Sequence, residues 1–176
     1  MFSMDNNRLS NLLAALSLSI ADSLESIAES SAYSATTMSA LITIDAHPGD
    51  TIDTLSRVLK LSPSGMSRLI SRLKKESLVE SLRGEDGRAV HLYTTAKGQE
   101  KAQNFLAHRQ TILQNTLKSL SQSEQSQLLG CLEKMLIGLP ENQDHARNIC
   151  RFCDESICHQ EGCPVEQGVN ISAYKL

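Results

Sequence analysis

The sequence predicts a mainly α-helical chain that carries one small β-hairpin, and three observations lead there. Apolar residues recur at three- and four-residue steps through most of the 176 positions, the period of amphipathic helices. Aromatic residues make up only 3% and tryptophan is absent, so Leu, Ile, Ala and Met supply most of the 40% hydrophobic content. Two short apolar runs flank Arg83-Gly84-Glu85-Asp86-Gly87-Arg88, a polar hairpin tip with a favoured Asp-Gly turn.

The elements follow in order. Leu9, Leu12, Leu13, Leu16, Ile20, Leu24 and Ile27 place one stripe along a long helix over residues 5–30. A second helix over 35–46 carries Met38, Leu41 and Ile42 and stops at His47-Pro48-Gly49. Residues 53–60 form a short third helix with Asp53 as its expected cap. The next helix is capped by Ser62, has Pro63 in its first turn, and buries Met66, Leu69, Ile70 and Leu73. Strands are expected at 78–79 and 89–93. Thr95 caps a further long helix, and Ser121-Gln122-Ser123-Glu124 is a capping box opening a last one, which Pro140 ends.

Two short helices joined by a tight turn and followed by a basic hairpin make a winged helix-turn-helix at 51–94. Residues 1–50 and 95–140 then form a helical dimerisation region, and 141–176 a cysteine-rich tail. The net charge of −3 hides an asymmetry. Between positions 51 and 101 stand ten Lys/Arg against six Asp/Glu, a net of +4, whereas the first fifty residues hold one Arg against six acids. A basic middle between acidic flanks is the footprint of a polyanion-binding face, here double-stranded DNA. On the helix after Ser62, the side away from the buried stripe presents Ser64, Ser67, Arg68, Ser71 and Arg72, with Lys74 and Lys75 extending the charge. Small hydroxyls permit close approach to base edges, and arginines reach guanine or phosphate. Ser62 at the helix start belongs to the same face. Arg88, at the wing, suits a narrow minor groove. The plainer account is a solvated polar helix face, which the hairpin and flanking helices make less economical.

The run DTLSRVLKLSPSGMSRLISRLKKESLVESLRGEDGRAVHLYTTAKG resembles the core of the MarR family of bacterial regulators. The resemblance rests on the Ser-x-Ser-x-x-Ser-Arg-Leu-Ile helix start, the Leu-Val strand, Asp86-Gly87-Arg88 and Thr95-Ala96-Lys97-Gly98, and the helix order extends it over residues 5–139. Ser77 departs from the pattern, standing where the family usually has glycine. The resemblance implies an obligate homodimer with intertwined terminal helices, each wing domain reading half of a palindrome, Asp86 orienting the wing and Arg88 touching the minor groove. Many relatives take a small aromatic effector, which nothing in this sequence names. The dimer also has its own argument, since the first and last helices are apolar along lengths the wing domain is too small to cover. Intramolecular packing into a monomeric bundle is the alternative.

Four of five cysteines lie within fourteen positions, Cys150, Cys153, Cys158 and Cys163, at the spacing of a zinc knuckle with cysteine in place of histidine. His159 is an alternative fourth ligand. A structural zinc leads the readings, followed by a dithiol switch, an iron–sulfur cluster, and unligated cysteines in a mobile tail without metal. Cys131, His91 and His108 read as packing or surface residues. Without a basic run leading into an unbroken apolar core, the N-terminus reads as neither signal peptide nor membrane span, and a cytoplasmic protein is expected. No nucleotide-binding loop, catalytic carboxylate pair or nucleophile–base set is present, so no enzyme is expected. Two competing classes are a thiol oxidoreductase using Cys150 and Cys153, and a winged-helix protein-interaction module that never touches DNA.

Overall fold

The computed structural model describes residues 4–84 and 89–173. Helix α1 (Met4–Ser30) leads through a Tyr33-bearing turn into α2 (Ala35–Ala46), then α3 (Ile52–Val58) and α4 (Pro63–Lys75). Strands β1 (Val79–Arg83) and β2 (Val90–Thr94) follow, then α5 (Ala96–Leu117) and α6 (Gln122–Ile137). Three short helices occupy the tail, α7 (Gln143–Ile149), α8 (Glu155–Glu161) and α9 (Pro164–Ala173).

Local chemistry sets most of these starts. Ser34, Thr51, Ser62, Thr95 and Asn142 each sit in extended backbone and accept a hydrogen bond from an amide three residues on. Ser121 and Glu124 close the reciprocal capping box, Ser121 N–H donating to Glu124 Oε2 at 2.8 Å. Thr51, rather than Asp53, caps α3. Its hydroxyl accepts from Thr54 N–H at 3.2 Å, which leaves Asp53 in the first turn, where its charge suits the helix dipole. At the other end α6 stops at Ile137, before Pro140 is reached.

Helix α2 is the centre of the fold, with Thr37 through Ile44 buried. Met38, Leu41, Ile44, Leu55, Met66, Leu73, Leu78, Leu92 and Phe105 form one continuous core around it. The hairpin runs antiparallel from Val79↔Thr94 to Arg83↔Val90, and Gly84 N–H bonds Ala89 O at 2.9 Å. The first strand is thus longer than residues 78–79 alone. Leu78 is buried just before it, and Ser81, Leu82 and Arg83 continue the ladder. The N-terminus of α5 meets the start of β1 closely, and a Cβ on Gly98 would lie 2.1 Å from Leu78 O. Only a residue without a side chain permits that approach.

The tail is folded onto this body. Helix α7 packs on α3, and α9 packs on both α7 and α6. A Cβ on Gly168 would lie 2.2 Å from Ile137 O, so α9 lies directly on the end of α6. Elsewhere α1 and α6 remain uncovered, with Leu9, Leu12, Leu13, Leu16, Leu129, Leu132 and Met135 exposed.

Ser77, where the resembled pattern has glycine, has a φ of +58°, in the left-handed region where a Cβ costs about 1–2 kcal/mol. Its side chain is exposed, so little contact is lost on removal. Ser77→Gly is expected to stabilise the protein by roughly 1 kcal/mol after the greater freedom of the unfolded glycine is offset. The check is a rise in denaturation midpoint with unchanged slope; a fall would show that the turn has no strain to relieve.

Candidate nucleic-acid interface and cysteine cluster

Helix α4 turns Met66, Ile70 and Leu73 into the core and leaves Ser64, Ser67, Arg68, Ser71, Arg72, Lys74 and Lys75 exposed. The expected face is therefore assembled, but its members do different work. Ser62 Oγ accepts from Gly65 N–H at 3.1 Å and adjoins Ser64 Oγ at 3.3 Å, so it is engaged in starting the helix. Arg68 lies along its own helix, Nε donating to Ser64 O at 3.3 Å, and makes no ion pair among the described residues. Ser67 and Ser71 project beside it, exposed. Arg68 and the exposed Lys75 are thus available to an incoming phosphate or base edge.

Arg72 is held in place. Its guanidinium donates to Glu76 Oε1 at 3.0 Å and to Ala32 O at 3.4 Å, and lies 5.5 Å from the Tyr33 ring centroid. Tyr33 donates to Glu76 Oε2 at 2.6 Å, Lys101 lies over the same ring at 5.2 Å, and Lys97 Nζ donates to Glu76 O at 2.9 Å. This group ties the α1–α2 turn and the start of α5 to the C-terminal end of α4. The Tyr33 and Arg72 hydrogen bonds hold the Glu76 carboxyl below its ordinary range. Burial and the bond to Glu76 push the Tyr33 phenol up to about 12. Lys74 is also engaged, donating to Ser81 Oγ at 2.6 Å and so tying α4 to the wing. Sequence patterning gave no sign of the Tyr33 group, whose members are brought together only by the fold. Asp86 and Arg88, the expected wing residues, lie outside the described residues.

The fold places the four tail cysteines close enough to influence one another electrostatically. Cys150 caps the C-terminal end of α7, and Cys153 N–H bonds Cys150 O at 2.7 Å across the intervening turn. The Cys150 thiol is influenced by Cys153 and Cys163, and Cys158 lies in the electrostatic field of the same two. The bond with Cys150 lowers the Cys153 thiol to about 7, aided by Arg109 and Arg151 against burial, so Cys153 ionises first. Its negative charge and burial push Cys150 up, and burial pushes Cys158 up. Among the described residues no three His, Cys, Asp or Glu side chains are already gathered around one ion-sized point. All four are free thiols. For His159, the alternative ligand, the described structure covers the backbone within α8. Cys131 is exposed on α6.

The cluster is anchored on the body that carries α4. Phe152, between Cys150 and Cys153, stacks on buried Phe105 of α5 with centroids 5.3 Å apart. Arg147 pairs with Asp50, both largely buried, Arg57 Nε donates to Asp144 at 3.0 Å, and His47 Nε2 adjoins Glu155 Oε1 at 3.1 Å.

This order of helices around a hairpin has counterparts of known kind. Residues 33–89 match the model of the MarR family. Over that segment the chain is similar to the MarR family. Solved structures share the fold at low identity. A MarR family protein from Bacillus stearothermophilus is 24% identical, with 77% of this chain and 95% of that one covered at a TM-score of 0.70. Streptococcus pneumoniae FabT, crystallised in complex with DNA, is 19% identical, with 74% and 94% covered at 0.64. A mutant of S. aureus MepR bound to an oligodeoxyribonucleotide is 20% identical, with 77% and 97% covered at 0.59. Comparison with curated proteins gives no match. The MarR resemblance and the mainly helical fold with its hairpin, both expected from sequence, are thereby established. Among the described residues no helix is long and apolar enough to cross a membrane.

Because the Glu76 carboxyl is held low in the folded chain, it contributes stability above its unfolded pKa, and that contribution is lost as pH falls through the folded value. Glu76→Gln is accordingly expected to be less stable than wild type at neutral pH, with the gap closing as pH falls from about 6 to about 3. Denaturation of both proteins across that range checks it; a gap that widens toward acid would contradict the sign.

Proposed function

We propose that this chain is a sequence-specific DNA-binding transcriptional regulator that acts as a homodimer on a palindromic operator. It is a repressor whose operator is released by a small-molecule, metal or redox signal. The exposed α4 face carries this reading, since it places small hydroxyls and Arg68, which makes no ion pair among the described residues, on a helix fixed from behind by Met66, Ile70 and Leu73. A recognition helix of this build enters a major groove, with an adjacent hairpin at the flanking groove. The DNA-bound FabT and MepR structures, which share the fold, support the same partner.

The dimer reading rests on α1 and α6. Their leucines form long apolar stripes that the described chain leaves bare, and a second copy under two-fold symmetry covers both. The pairing sets the distance between the two α4 helices, so a signal that alters it mismatches successive grooves and releases DNA. The thiol oxidoreductase alternative gains little from the tail, because Cys150 ends a helix instead of opening one after a strand.

Sedimentation is expected to give twice the 19.3 kDa chain mass. Affinity for duplex DNA should fall steeply between about 50 and 200 mM salt, as released counterions require. Arg68→Ala should cost a further 1–3 kcal/mol, roughly, without loss of stability, and Arg88→Ala should weaken binding as well. Binding that ignores salt and both substitutions would remove DNA as the partner.

A further inference from the structure

The tail is a folded unit with almost no core of its own. Its helices are seven, seven and ten residues long, shorter than the roughly 12–15 residues at which an isolated helix becomes marginal. Among the described residues its buried apolar side chains are Ala146 and Val165. Units this small are held by disulfides, by a metal, or by the body they dock on.

The cysteines are distributed as a staple requires. Cys150 closes α7, Cys153 follows the turn, Cys158 lies in α8, and Cys163 immediately precedes α9. Cys150 and Cys153 flank one turn, closed by Cys153 N–H to Cys150 O at 2.7 Å. Cys150 and Cys163 line one cavity, and Cys158 lies in the electrostatic field of Cys153 and Cys163. Disulfides divide four cysteines into two exclusive pairs, whereas one cation takes all four. Zinc–sulfur bonds of about 2.3 Å set the sulfurs just under about 4 Å apart, a compact set, whereas a four-iron cube spreads its ligands farther. The thiols are not yet gathered at one point. Each cysteine has a single side-chain torsion through which its sulfur turns toward or away from a shared ion.

We propose that Cys150, Cys153, Cys158 and Cys163 bind one zinc ion as four thiolates, and that this ion staples the tail to the DNA-reading body. Binding replaces four S–H bonds by four Zn–S bonds and releases four protons to solvent. Phe152 against Phe105 and the Arg147–Asp50 pair transmit the staple to α5 and to the loop before α3. Gly168 against Ile137 transmits it to α6. One ion would thus brace the reading helix-turn-helix against the helix whose apolar face is bare.

The test is elemental analysis of the full chain purified without oxygen, followed by chelation and Co2+ titration of the same wild-type protein. Expected are about one zinc per chain, and a cobalt form with thiolate charge-transfer bands and tetrahedral visible bands, saturating at one equivalent. Cys150→Ser and Cys163→Ser should each lose the stoichiometric ion, while Cys131→Ser should keep it. The wild-type cobalt titration carries the result should a serine variant fail to fold. Five titratable thiols with no metal and no cobalt bands, disulfides detected by mass, or iron with acid-labile sulfide would each overturn the proposal. None of these readouts depends on DNA binding, so this inference and the regulator reading fail separately.

Discussion

One-sided burial of α4 is the constraint on which the rest of the structure depends. Met66, Ile70 and Leu73 are buried, and the helix has no freedom to rotate without bringing serines and arginines into an apolar core. The exposed face is therefore set by what lies behind it. A buried Leu or Met costs about 2–5 kcal/mol when cut to alanine, far more than any exposed hydroxyl contributes to stability. Stability resides on one side of α4 and the candidate chemistry on the other.

Position along the helix axis is fixed by polar ties at both ends. Ser62 and Pro63 start the helix, and the Tyr33–Glu76–Arg72 group holds its end to the α1–α2 turn. The Gly98–Leu78 approach locks the start of α5 beside β1, and Lys74 reaches the wing through Ser81. The same body receives the tail through Phe152, Arg147 and Asp144. Motion of the tail is consequently coupled to the segment that positions α3 and α4, while α9 rests on α6 at its other side.

The parts legible in sequence are those that local chemistry decides. Helix periodicity and the Ser62, Thr95 and Ser121 caps were readable because each depends on residues within four positions of one another, and the hairpin because its Asp-Gly turn signal is equally local. Even there Thr51 displaced Asp53 as the α3 cap, since either side chain satisfies the pattern and only backbone geometry chooses. The polar face of α4 was legible as a stripe, but the engagement of Arg72 and Lys74 was not. Tyr33 and Glu76 stand 43 positions apart, and no periodicity links them. The tail read as a cysteine-rich segment because its helices are too short and too poor in apolar residues to register. Its caps at Asn142 and Asp154 matter only once the docking surface exists.

The central claim is that paired α4 helices read a two-fold-symmetric DNA sequence, and selection of bound duplexes from a random pool tests it most directly. The account predicts enrichment of a palindrome whose half-sites are centred about one helical turn apart, 10–10.5 base pairs. A pool that stays random after repeated selection, or that enriches a single unpaired half-site, would contradict it.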